Sequence, residues 1–262
     1  MKALILAAGQ GTRLRPLTDD RPKCMVELVG RPLLDRQAAT LRGAGITDIT
    51  VITGYRADQI ESAGFATRLN SRFAFTNMVA TLFCAEDLMD NNQDLLICYG
   101  DIVYEARVLA ALLKVDASVT VVIDSQWRRY WELRLDDPLN DAETLKLGPN
   151  GRLLELGKKP ASYADIEGQY IGLIRIRADQ VLALKTLYHE MDRSGTYDGK
   201  DFDNMYMTSF IQYQIDQRWD VRVAATDNGW LEVDSVTDLE LYHRMAADGT
   251  LAPFYKLQET QE

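Results

Sequence analysis

The chain opens MKALILAAGQGTRLRPLTDDRPKCM (residues 1–25), and the fold is decided by how that stretch is read. Residues 2–8, KALILAA, are a continuous apolar run that stops at a glycine turn, as a strand buried on both faces does. Downstream the same grammar recurs. PLLDRQAATLRGAG (32–45) has helical spacing and a glycine stop, and DITVITG (48–54) is a second β-branched run. RADQIESAG (56–64) and MVATLFCAEDLM (78–89) predict helices, DLLICYGD (94–101) a strand ending in an acid, EARVLAALLKV (105–115) a helix and ASVTVVID (117–124) a strand. Strands alternating with helices of about ten residues predict an α/β protein with a doubly wound, mostly parallel sheet. In such sheets ligands sit beyond the carboxyl ends of the strands, which puts Gly9, Gly11 and Asp101 on one rim.

From residue 127 the grammar changes. WRRYWELRL (127–135) is aromatic and basic, AETLKLGPNGRLLELGKK (142–159) predicts a hairpin around Pro149-Asn150-Gly151, and QYIGLIRI (169–176) a strand. Two helices are expected within 179–192 and 205–217, then strands at 221–227 and 230–234, and Ser235 with Asp238 fits an S-x-x-D helix start. There is no internal repeat and no low-complexity linker, so a single domain, 1–262, is expected.

The 262 residues, 47% of them hydrophobic, suffice for one substantial core. A formal charge of −10 argues against nucleic acid or an anionic membrane as a partner. No stretch approaches the ~20 apolar residues of a membrane span, and no secretory cleavage pattern follows the first run, so a cytoplasmic location is expected. Cys24, Cys84 and Cys98 lack CxxC spacing and read as buried, reduced thiols.

Gly9-x-Gly11 admits several readings. It lacks the G-x-x-x-x-G-K-[ST] of a phosphate loop, and a G-x-G-x-x-G dinucleotide fingerprint fails at Leu14. A plain strand-to-helix turn remains, as does a turn whose N–H groups approach a nucleotide closely, with Thr12 and Arg13 adding donors for phosphate. The wider pattern separates these two. LILAAGQGTRLRPLTDDRPKCMVEL (4–28) closely resembles the signature of the nucleotidyltransferases that join a nucleoside triphosphate to a phosphorylated small molecule, L-x-A-G-x-G-[ST]-R followed about ten residues on by P-K. The resemblance implies a Rossmann-like, GT-A-like fold with a small β-rich acceptor-binding region. Residues 1–125 would then bind the nucleotide and 126–262 the acceptor. It implies that Leu6, Ala7, Ala8, Gly9, Gly11, Thr12 and Asn77 bind nucleotide, that Arg13 and Lys23 stabilise the triphosphate and the departing pyrophosphate, and that Asp101 and Asp234 hold Mg²⁺. Attack on an α-phosphate builds charge on oxygen, which fixed cations stabilise. Without the signature, Asp101 reads as a strand-end acid and Asp234 as a neighbour of the cap Ser235.

ELGKKPASY (155–163) is similar to the E-K-P segment of the sugar-phosphate members, so Lys159 is expected on the acceptor phosphate; Lys158 replaces the acid that helps to bind sugar, which puts a hexose in doubt. Asn77 to Leu82 and the segments DIVY, ELGKK, QYIGL, NMYMTSF and GWLEVDSVTDLELY resemble the phosphocholine and phosphoglutamine cytidylyltransferase branch. That branch implies CTP and an amino-bearing phosphate as partners, a CDP-linked precursor for surface polysaccharide, and leaves a homo-oligomer open. The alternatives are a hexose-1-phosphate nucleotidyltransferase using another nucleotide and a non-catalytic nucleotide-binding regulator. Trp127, Tyr130, Trp131, Tyr170 and Trp230 read either as core and wall or as faces for an alkylammonium group, with Tyr170 and Trp230 expected at the acceptor. Arg128 and Arg129 would suit an acceptor carboxylate or equally a solvated face, and His189 and His243 carry no role.

Overall fold

The computed structural model describes residues 1–257. Its main sheet has seven strands, in the spatial order Val221–Thr226, Val119–Asp124, Gln169–Ile176, Leu95–Tyr99, Lys2–Ala7, Asp48–Thr53 and Ala66–Leu69. Pairing is parallel everywhere except on both sides of Gln169–Ile176, which runs against its two neighbours. The sheet is therefore mostly parallel, as the alternation predicts.

The first strand shows why the apolar runs are continuous. Ala3, Ile5 and Ala7 point into one core while Leu4 and Leu6 point into the other. On the first face the sheet is covered by helices Leu33–Gly43, Ala106–Lys114, Trp127–Arg134 and Val236–Ala247, and on the second by Met78–Phe83, Val181–Glu190 and Met207–Asp216. WRRYWELRL, for which composition suggested no element, is thus a helix.

Smaller elements shape the rim. The expected hairpin pairs Leu145–Leu147 with Leu153–Leu156, and Asn150 and Gly151 both take the left-handed conformation its turn needs. Trp230–Glu232 is not part of the main sheet; it pairs with Ile102–Tyr104, just after Asp101. The last helix starts on the expected capping box, Ser235 with Asp238. Cys24 and Cys98 are buried free thiols, burial pushing both pKa values up to about 12, and Cys84 is free and half-buried.

Gln169–Ile176 crosses the sheet with a register shift between Tyr170 and Ile174, and there Gly172 has φ +86. A Cβ on it would lie 2.6 Å from the Tyr99 ring. Gly172→Ala should cost about 2 kcal/mol or more, from overpacking added to left-handed strain, and chemical denaturation will show it as a lower midpoint at unchanged slope. A midpoint within error of the wild type would mean that Tyr99 is free to move aside.

Candidate active site

The turn after the first strand is built around a lysine. Gly11 sits at φ 61, and a Cβ there would be 2.9 Å from Cβ of Lys23, so glycine is what lets the Lys23 stem pass. The Thr18 hydroxyl donates to the Gly11 carbonyl at 2.7 Å. The following single turn, Thr12–Leu14, buries Leu14 and turns Arg13 outward.

Asp101 is presented by a bend with three anchors. The Gly100 N–H donates to the Leu6 carbonyl at 2.9 Å, and the Val233 N–H to the Asp101 carbonyl at 3.0 Å. The amide of buried Gln37 donates to the carbonyls of Tyr99 at 2.8 Å and Ile102 at 2.7 Å, flanking the bend. Asp234 comes up beside it because Glu232 pairs with Ile102, and its N–H donates to the carboxylate of Asp238, the third residue of the capped helix, at 3.1 Å. Asp238 and Glu232 are in turn held by Arg134, at 2.9 and 2.8 Å.

Lys23 Nζ lies between the two aspartates, 2.8 Å from Asp101 Oδ2 and 2.7 Å from Asp234 Oδ1, and Arg13 reaches Asp234 Oδ2 at 2.5 Å. Burial alone would lower the Lys23 pKa, but the carboxylates of Asp101 and Asp234 outweigh it and leave the pKa raised. Asp101 Oδ1 is buried and without a hydrogen-bond partner. Two facing carboxylates with a spare oxygen fit Mg²⁺, which takes one or two carboxylates and completes its shell from phosphate and water. Among the described residues no group of three acids, histidines or cysteines is placed to hold a metal ion by itself, so such a cation would depend on ligand oxygens.

Two pockets meet at this charge cluster. The first is lined by Leu6, Ala7, Ala8 and Gly9, by Lys23 and Asp101, and by Asn77, which caps the helix that follows it. The second carries Arg13, Asp234, Arg134, Glu143, Tyr170 and Trp230. Met78 and Tyr99 line both and form the partition. Gly11 and Thr12 lie outside the first lining; Gly11 acts on it through Lys23.

Two expected acceptor residues are not brought to the second pocket. Arg128 pairs with Glu132 at 2.7 Å and lies over the Tyr163 ring, while Lys159 donates to the carbonyls of Leu139 and Asn140 at 2.5 and 3.1 Å. Arg129 is likewise tied to Asn228 and Pro253. The arginine that does reach the pocket is Arg134. It shares a face with Trp127, Tyr130 and Trp131 at helical spacing, a periodicity that picks it out from its two neighbours. Glu143 was also missed; it follows a short loop with no local signal. Burial raises its pKa to about 7, opposed by a hydrogen bond from Thr208 and reinforced by the charges of Asp141 and Asp198.

Fold and site together define an α/β nucleotidyltransferase: a glycine turn, a lysine between two carboxylates and a partitioned double pocket at the end of the sheet. The chain belongs to the MobA-like NTP transferase family, whose domain matches residues 3–186. It is 41% identical over 252 residues to the CTP:phosphoglutamine cytidylyltransferase of Campylobacter jejuni, covering 92% of this chain and 98% of that relative. Among solved structures, CTP:phosphocholine cytidylyltransferase from Streptococcus pneumoniae superposes with a TM-score of 0.70 at 22% identity, covering 94% of this chain and 98% of that one. The inositol-1-phosphate CTP transferase from T. maritima gives 0.71 at 18%, covering 93% and 95%. These last two are likenesses of fold. The resemblance carried by residues 4–28 is borne out.

Because the pKa of Glu143 is raised in the folded state, its protonated form is the stabilising one: the contribution is full below the ordinary carboxylate range and is lost as pH rises through about 7. Unfolding free energies of wild type and Glu143→Gln, measured from pH 4 to 8, should therefore shift in favour of the variant as pH rises. A difference independent of pH would contradict that environment.

Proposed function

We propose that the protein transfers CMP from CTP to a phosphorylated small molecule, releasing pyrophosphate and leaving a CDP-linked product. The observation that carries this reading is the pair of pockets joined at the Lys23-bridged aspartates, in a chain alike over nearly its whole length to a cytidylyltransferase. Phosphoglutamine is the first acceptor to consider, with phosphocholine and similar amino-bearing phosphates next. The first pocket takes its lining from residues before 102, and the second takes all but Arg13, Met78 and Tyr99 from residues after 130. That division supports nucleotide binding by 1–125 and acceptor binding by 126–262 within one domain.

In the reaction an acceptor phosphate oxygen attacks the α-phosphorus in line, and the bond from that phosphorus to the bridging oxygen of the β-phosphate breaks. The acceptor is already ionised, so no strong base is needed. Catalysis is then positioning with charge stabilisation. Leu6 to Gly9 and Asn77 bind the nucleoside, and Arg13 and Lys23 leave their carboxylates to meet the triphosphate and the departing pyrophosphate. Asp101 and Asp234 would hold Mg²⁺, which when bound screens the two phosphates from one another. Tyr170 and Trp230 wall the acceptor, and Lys159 joins only by releasing the carbonyls of Leu139 and Asn140. A cytoplasmic location, with which the unpaired cysteines agree, and a role in supplying a CDP-linked precursor for surface polysaccharide go with this reading. No described helix is long and apolar enough to cross a membrane.

The test is pyrophosphate release from CTP, UTP, GTP and dTTP with phosphoglutamine, phosphocholine and hexose 1-phosphates. Turnover with CTP and a nitrogen-bearing phosphate is expected; turnover confined to a hexose 1-phosphate would contradict the reading. Lys23→Ala should lower kcat by about 10²- to 10³-fold through lost charge stabilisation, and Asp101→Ala should abolish turnover. A Lys23→Ala enzyme altered only in acceptor KM would remove the lysine from the chemistry.

A further inference from the structure

The second pocket is lined by five acids, Asp141, Glu143, Glu232, Asp234 and Asp238, against two cations, Arg13 and Arg134. For a site that must accept a phosphate this balance is unexpected, so each acid needs an account. Glu232 and Asp238 are held by Arg134, Asp234 by Lys23 and Arg13, and Asp141 accepts from the Trp131 indole at 2.9 Å. Glu143 alone among them has no such partner. No described cation pairs with it, and its carboxylate receives one long hydrogen bond, 3.4 Å from the Thr208 hydroxyl.

The residue is nonetheless held firmly. Its N–H donates to Gln169 Oε1 at 3.1 Å, and Gln169 Nε2 donates to its carbonyl at 2.6 Å, so a buried side chain of the main sheet grips its peptide on both sides. A carboxylate fixed in a partly dry pocket without a cation is costly by itself and is relieved by a ligand that brings one.

We propose that Glu143 is a specificity-determining residue of the acceptor pocket, its carboxylate accepting hydrogen bonds from a protonated primary amine on the acceptor. The inference rests on the cytidylyl-transfer reading and narrows its acceptor to a phosphate ester or amide that also carries an ammonium group with N–H donors, as a phosphorylated amino acid does. A quaternary ammonium is disfavoured. It has no N–H to give, and the tryptophans that would cage it are buried against each other, Trp131 and Trp230 with ring centroids 6.1 Å apart and only 5% and 2% exposed. The phosphate end of such a molecule would face Asp234 and Arg13 on the same pocket wall, and the amine end Glu143.

The experiment compares wild type and Glu143→Gln on two acceptors, phosphoglutamine and its analogue with hydrogen in place of the α-amine, with the CTP KM as a check on folding. Glu143→Gln should raise the KM for phosphoglutamine by about 10- to 100-fold, the loss of one charged hydrogen bond, while both enzymes handle the deaminated analogue with the same poor kcat/KM. An equal loss on both acceptors, or no loss on either, with CTP KM intact, overturns the role given to Glu143. Wild-type silence on both acceptors overturns this inference; CTP-dependent turnover of phosphocholine by the same enzyme would then leave cytidylyl transfer standing, and silence with phosphocholine as well would overturn that reading too.

Discussion

One ammonium group organises the site. Lys23 Nζ lies between Asp101 and Asp234, which are far apart in sequence and come from different parts of the sheet system. All three side chains are largely buried, and taking their charges out of water is expensive unless each finds its partner. The cluster continues through Arg13 on Asp234 and, one layer below, Arg134 on Glu232 and Asp238, so that each acid in a band of four is paired with one or more of three basic residues. Removing one basic member leaves carboxylates facing each other. On the proposed reading, a ligand bringing phosphates and a divalent cation would exchange partners with this band and enter without uncovering a bare charge.

The sheet decides where that band can sit. Parallel strands ending together at Ala7, Thr53 and Tyr99 leave a shelf at their carboxyl ends, and the antiparallel strand Gln169–Ile176 beside Leu95–Tyr99 brings the second pocket against the first. Tyr99 is the shared wall. Gly172 lets the neighbouring strand close onto its ring, so the partition between the two pockets is fixed by packing in the sheet itself rather than by a loop.

Much of this was legible in the amino-acid sequence. Apolar runs that do not alternate require burial on both faces, and the two cores that meet at Leu4 and Ile5 are that burial. The signature of residues 4–28 marked Lys23 and Arg13, and the same resemblance singled out Asp101 and Asp234, which by their strand-end positions alone read as ordinary acids. Less legible was direction: nothing in QYIGLIRI says that it runs against its neighbours. Exposed basic residues misled for a physical reason. Arg128 and Arg129 stand beside tryptophans in sequence, yet on a helix the residues that share their neighbours' face are three, four and seven positions away, which selects Arg134. The same spacing marks Gln37, a polar residue on the apolar face of Leu33–Gly43, where its amide holds the Asp101 bend. Glu143 has no such periodicity; it is set in the pocket by the Gln169 side chain across the fold, a contact that only the folded chain creates.

The account stands or falls on what occupies the two sides of the Tyr99 partition. The most direct measurement is a crystal structure of the protein with CTP and Mg²⁺. The account predicts cytosine over Leu6 to Gly9 and Asn77, the triphosphate against Arg13 and Lys23, and the metal on Asp101 and Asp234 with Lys23 moved off them. A triphosphate lying in the aromatic pocket beside Tyr170 and Trp230, with Lys23 still seated between its aspartates, would contradict it.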